Sequence, residues 1–159
     1  MKRLFTAILI LMALVFLACQ ADAAGSVTQA IKSYPNGNMK AVTFSWTGDA
    51  ANGTVPSTAT NAAITTEISG WYVYAIETDP GSVAPTTLYD IVINDASGFD
   101  IAGGQLANRS ATATERVIPK LDATASLYGG SLVDGALTLV ITGQSVVSAT
   151  GTVKLLLSK

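Results

Sequence analysis

The sequence predicts an all-β protein: a single antiparallel β-sandwich, Ig-like or jelly-roll-like, with seven or eight strands, preceded by a signal peptide. Three observations predict it. Beyond the first two dozen residues, apolar side chains recur at every second position over short runs, the period of a strand with one buried face. Clusters of Pro, Gly, Asn and Asp separate those runs. No window carries apolar residues at i, i+3, i+4 and i+7 between helix caps, so an apolar sheet face can be covered only by a second sheet.

The leader comes first. Lys2 and Arg3 precede an apolar run from Leu4 to Ala18, broken only by Thr6, and Ala21-Asp22-Ala23 follows with small residues at the two positions a signal peptidase reads. Charge, apolar core and A-x-A in that order form a secretory signal, and the run is shorter than the ~20 residues a membrane-crossing helix needs. Residues 1–23 are therefore assigned as a signal peptide and 24–159 as the sandwich domain, which places the protein in the periplasm, at the cell surface or in the medium. Cys19, the sole cysteine, offers a second route. After Leu17-Ala18 it sits where a lipoprotein signal puts its acylated Cys, and lipidation there would tether the chain to a membrane. Otherwise Cys19 leaves with the leader.

The elements follow in order. Val27 to Tyr34 reads as a strand, ended by Pro35-Asn36-Gly37-Asn38, residues suited to a tight turn. Met39 to Thr47 follows, with Val42, Phe44 and Trp46 on one face and Lys40 continuing that row toward solvent. Residues 48–62 are small and polar and read as a mobile tip. Ala63 to Ile68 reads as a short strand. In Trp71 to Thr78, strict alternation sets Trp71, Val73 and Ala75 against Tyr72, Tyr74 and Ile76; with both faces apolar, the strand reads as a central one or as one whose outer face is covered. Leu88 to Asn94 points Tyr89, Ile91 and Ile93 one way, and Asp95 to Gly98 is a turn. Glu115 to Pro119 reads as an edge, because Pro119 has no N–H for a ladder. Ala136 to Thr142 buries Leu137, Leu139 and Ile141; Thr150 to Leu157 buries Val153, Leu155 and Leu157. Gly143 to Ala149 between them reads as a hairpin loop.

Composition narrows the chemistry. The chain has no histidine, which removes His-based triads and most zinc sites. Nothing assembles a base, a nucleophile and an oxyanion hole, so the chain reads as non-enzymatic and calls for no cofactor. Residues 24–159 carry seven basic and ten acidic side chains, no electrostatic footprint for nucleic acid. Only 13% of the chain is charged, which favours a subunit that packs against copies of itself or into a larger surface assembly.

Three weak constellations remain. Asp95, Ser97 and Asp100, near Asp90, offer alternating oxygen ligands around Gly98, loosely like a calcium loop; the same residues suit an Asx turn. Arg109 could anchor a partner carboxylate or tie its own loop. Tyr72 and Tyr74 could form a carbohydrate- or surface-binding strip, aromatic faces being suited to sugar rings, while Trp46 and Trp71 lie on core rows. Asn52-Gly53-Thr54 and Asn108-Arg109-Ser110 match glycosylation sequons, a motif short enough to arise by chance.

The run Pro85-Thr-Thr-Leu-Tyr89-Asp90-Ile-Val-Ile, then Asp95, Gly98, Asp100, Gly104, Leu106, Asn108-Arg109-Ser110, Glu115 and Pro119, closes with Gly135-Ala-Leu-Thr-Leu and Gly151-Thr-Val. With Trp46, these residues resemble small uncharacterised β-sandwich proteins among the structural genes of tailed phages and prophages. The resemblance spans roughly the last half of the domain and implies a virion-type or assembly role without catalysis. The chain differs from that pattern in carrying an export signal.

Overall fold

A computed structural model describes residues 23–35, 37–122 and 126–159. Residues 1–22 of the predicted signal peptide, Cys19 among them, lie outside these residues. Two antiparallel sheets pack face to face. The larger has the order β1 (Ser26–Ser33), β2 (Met39–Thr47), β9 (Thr150–Ser158), β4 (Tyr72–Pro80), β6 (Glu115–Val117), with β7 (Ser131–Leu132) also pairing β4. The smaller has the order β3 (Thr58–Ala59), β8 (Thr138–Thr142), β5 (Asp90–Asn94). The predicted sandwich is present, with nine strands among the described residues; β3 and β7 are two residues each and too short to leave a periodic signal.

The core is what alternation predicts. Val42, Phe44 and Trp46 of β2 and Val153, Leu155 and Leu157 of β9 meet Ile91 and Ile93 of β5 and Leu139 and Ile141 of β8 in one buried cluster. Water is excluded between the layers, the main stabilising contribution in a fold of this kind. Trp46 lies against Tyr89, ring centroids 5.9 Å apart and tilted by 59°.

Five expectations are corrected. Residues 62–68 form a helix, α1 (Ala62–Ile68), and not a strand. Asn61 caps it, its side chain accepting from the Ile64 N–H at 3.0 Å, and Ile64 and Ile68, four apart, both turn into the core. Second, β4 does not alternate strictly. Its register with β9 shifts between Val73 and Ala75, a bulge at Tyr74. One extra residue reverses which side chains face inward, so Ile76 joins the core while Ala75 packs on the outer face with Ala41 and Leu156.

Third, Gly143 to Ala149 is no hairpin. β8 and β9 belong to different sheets, and the segment arches between the layers. Fourth, residues 48–62 are pinned. Gln144, itself buried, donates from Nε2 to Gly53 O (2.9 Å) and Val146 O (2.6 Å), and its Oε1 accepts from the Thr86 N–H (2.8 Å). Asp49 accepts from the Ala51 and Asn52 N–H groups, and those backbone bonds hold its carboxyl below the ordinary range.

Lys40 is not solvated as its row suggested. Its Nζ donates to Glu67 O (2.8 Å) at the end of α1 and lies 4.8 Å from the centre of the Trp71 ring. A cation over an indole face and at a helix C-terminus is favoured on both counts.

Candidate functional site

The strand register lays out the solvent-facing side of the larger sheet in rows. At one end Ser26 stands opposite Thr47 and Thr47 opposite Thr150; beside them run Thr28, Ser45 and Thr152. These six hydroxyl residues line a hollow of ≈ 280 Å³, walled by Gly81. Thr152 is followed by Asp79, which accepts from the Thr114 hydroxyl.

The next row is charged. Lys154 and Arg116 flank Glu77 in register, with Lys154 Nζ 2.7 Å and Arg116 NH2 2.5 Å from its two oxygens. The bond from Lys154, then that from Arg116, holds the Glu77 carboxyl below its ordinary value. The guanidinium is correspondingly raised, chiefly by Glu77 and less by the Tyr74 hydroxyl nearby.

Beyond the charges the face turns apolar. Ala41, Ala75 and Leu156 are buried beneath Tyr34 and Tyr74. Tyr72 stands further out, 45% exposed, beside Leu132, 49% exposed, which pairs with it across β4 and β7. The segment after β6 doubles back, Leu121 N–H bonding Leu127 O and Gly129 N–H bonding Pro119 O. This brings Leu121 over Gly129 and Tyr72 over Gly130, where an added Cβ would meet them at 3.0 Å and 3.1 Å. Ile118, Leu121, Leu127 and Tyr128, all exposed, lie on this returning segment. Large apolar side chains gathered in solvent mark a contact surface more often than chance scatter does.

The sequence-predicted residues fall in three places. Tyr72 and Tyr74 share the outer face, the bulge keeping both there; Tyr72 is open, and Tyr74 is half-buried. The hydroxyl hollow lies toward the other end of the strands, several residues along β9, so the tyrosines and the hollow do not form one site. Arg109 turns inward: its Nε and NH2 donate to Ala107 O (3.2 and 2.9 Å), and NH1 lies 3.7 Å from Glu115, which itself accepts from the Ser110 N–H. With only 12% of its side chain exposed, it ties the 107–115 loop. Beneath that loop the Tyr89 hydroxyl is pushed up to about 12 by burial, against a smaller opposing influence of Arg109.

Asp95 and Asp100 are engaged with their own loop. Asp95 Oδ1 accepts from the Ser97 N–H (2.8 Å), the Ser97 hydroxyl (2.7 Å) and the Phe99 N–H (2.9 Å), an Asx turn. The Ser97 hydroxyl is the first cause holding the Asp95 carboxyl below its ordinary value. Asp100 Oδ1 accepts from Ala102 N–H (3.0 Å) and Oδ2 from Gly104 N–H (2.7 Å), while Asp90 accepts from Asn108 N–H (2.7 Å). Among the described residues no three His, Cys, Asp or Glu side chains come together as a metal cluster.

The apolar rim and the hydroxyl hollow were not anticipated from sequence. Leu132 gave no local signal: it stands exposed between buried Ser131 and Val133, the reverse of what the Ser131 and Leu132 side-chain types suggest. No protein family, curated protein or solved structure matches the chain.

Proposed function

We propose that the chain is a non-enzymatic, exported structural subunit that acts by assembling with other protein surfaces outside the cytoplasm; the resemblance to phage structural proteins supports the assembly role, and the leader, where the chain departs from that pattern, supports the export. The observation that carries this reading is the apolar rim of Tyr72, Leu121, Leu127, Tyr128 and Leu132. These side chains are about half exposed, so leaving them in water forgoes roughly 0.7–1.5 kcal/mol of burial each, a cost that assembly removes. The test is light scattering and envelope co-purification of the protein against a Leu132→Glu/Tyr128→Ser variant. Assembly by the parent and its loss in the variant are expected. A parent that stays monomeric and retains no envelope component sinks the reading.

The hydroxyl hollow supports a second reading, a carbohydrate- or surface-binding module. Its six Ser and Thr side chains both donate and accept, and no charged residue lines it. A glycan array probed with the parent and a Thr28→Val/Thr152→Val variant tests it, and an array blank for the parent removes it. The exposed Tyr72 serves the first reading as part of the rim.

A further inference from the structure

We infer that β1 is a docking edge for a second copy of this chain, the two β1 strands pairing antiparallel about a twofold axis so that the larger sheets become continuous. The inference keeps the premise of an assembling subunit but uses the sheet edge opposite the rim, so either can fail without the other.

The argument begins with where the backbone of β1 points. Gly48 N–H bonds Ala149 O, and Lys159 N–H bonds Asn38 O. Even-numbered residues of β2 therefore face β9 and odd-numbered ones face β1. Tyr34 N–H bonds Met39 O, in keeping with that phase. Through the β1–β2 register, Ser26, Thr28, Ala30 and Lys32 bond to β2. Val27, Gln29, Ile31 and Ser33 then turn their N–H and C=O groups away from the sheet, because a strand residue aims both groups to one side.

The other edges are closed. In the smaller sheet the 99–109 segment lies along β5, with Ile101 N–H on Ile93 O, Ile91 N–H on Leu106 O and Arg109 N–H on Tyr89 O. β3 is two residues long, and the Gln29 side chain covers it like an added peptide group, donating to Ala59 O (2.7 Å) and accepting from Asn61 N–H (2.9 Å). On the far side of the larger sheet β6 has three residues and β7 two. Exposed edges are ordinarily kept short, bulged, charged or broken by Pro. β1 has eight residues, no Pro, no bulge in its register and a single charge, Lys32.

Its sequence is also compatible with itself. With Gln29 on the axis, Val27 of one copy faces Ile31 of the other on the core side. Ser26 faces Lys32, and Thr28 faces Ala30, on the outer side. No like charges meet, and the inward and outward rows of the two sheets run on without a break. Strand addition of this kind takes its affinity from main-chain bonds, and a self-complementary patch closes as a twofold dimer.

The test uses the protein expressed with its leader and purified as the host releases it. Sedimentation is followed to about 1 mM, where a millimolar dimer is half populated, and should show a monomer–dimer equilibrium. Amide exchange should slow with concentration at Val27, Gln29 and Ile31 but not at Thr28 or Ala30. Ala30 is exposed, so Ala30→Lys leaves the monomer folded, as circular dichroism checks, yet sets like charges diagonally across the axis and should weaken the dimer roughly two- to fivefold. Ala30→Glu should do the same, and an equimolar mixture of the two should recover it. A protein monomeric at the highest concentration, or a dimer indifferent to Ala30→Lys, overturns the inference. A dimer broken by Leu132→Glu but not by Ala30→Lys also overturns it, while leaving the rim reading intact.

Discussion

Gly151 lies opposite Trp46 in the β2–β9 ladder, and a Cβ there would stand 2.6 Å from the indole Cζ2 and 2.8 Å from Cε2. The indole cannot retreat freely, since it is buried and Tyr89 packs beside it. Gly151→Ala should therefore destabilise the domain. Freed of the clash, Ala in place of a strand Gly would gain about 0.5–1 kcal/mol. Overpacking a filled core costs about 1–3 kcal/mol; with two ring atoms under 3.0 Å from the added Cβ the cost lies in the upper part, about 2–3 kcal/mol, so the net loss is about 1–2.5 kcal/mol. In a domain of this size that lowers Tm by roughly 3–8 °C. The assay is thermal and urea unfolding followed by tryptophan fluorescence and far-ultraviolet circular dichroism. Trp46→Phe removes the overlapping atoms and forfeits no protein hydrogen bond, because Nε1 has no partner among the described residues. It loses packing alone, yet the double variant should be at least ~1 kcal/mol more stable than the two single losses sum to. A Gly151→Ala protein as stable as the parent, or strictly additive effects, would refute the packing argument.

Other outcomes follow from polar contacts. Glu77 has its carboxyl lowered from an ordinary value of 4.5 by Lys154 and Arg116. Its stabilisation is thus complete above that value and lost as pH falls through the lower folded one; Glu77→Gln should flatten the acid limb of a urea-midpoint profile, and unchanged steepness counts against the pairing. High salt should shrink the same effect. Gln144→Leu strands the Thr86 N–H and Gly53 O and should cost about 2–3 kcal/mol in urea unfolding, with a loss below ~0.5 kcal/mol contradicting its role. Gln29→Ala should cost about 1 kcal/mol and speed hydrogen exchange at the Asn61 amide, detectable by NMR; an unchanged Asn61 rate would show the side chain to be dispensable there.

The strands that alternate cleanly were legible because burial on one face imposes period two directly on residue choice. Val42-x-Phe44-x-Trp46 and Val153-x-Leu155-x-Leu157 need nothing else to be read. Helix α1 was hidden by its length: two turns give only one i, i+4 pair, Ile64 and Ile68, and Thr65-Thr66 between them is as suited to a strand. The bulge at Tyr74 was hidden because both faces of β4 carry apolar residues, so a one-residue slip leaves no polar side chain out of place. The arch after β8 was misread for a different reason: turn residues mark where a chain reverses, not which sheet receives it. Of the candidate residues, the Asx chemistry of Asp95 and Ser97 was readable locally. The rim was not, because it gathers Tyr72, Leu121 and Leu132 from segments that only the fold makes neighbours.

The position of β9 has a consequence for how the chain is made. It is the last in sequence of the nine strands among the described residues, yet it lies inside the larger sheet, bonded to β2 on one side and β4 on the other, with Met39 meeting Ser158. Until β9 emerges, those two strands have no shared neighbour and the apolar rows of Phe44 and Ile76 stay wet. Closing a loop of that span is slow compared with forming local contacts. A nascent chain built this way completes its larger sheet only when β9 arrives, so the order of synthesis delays the closing of the fold.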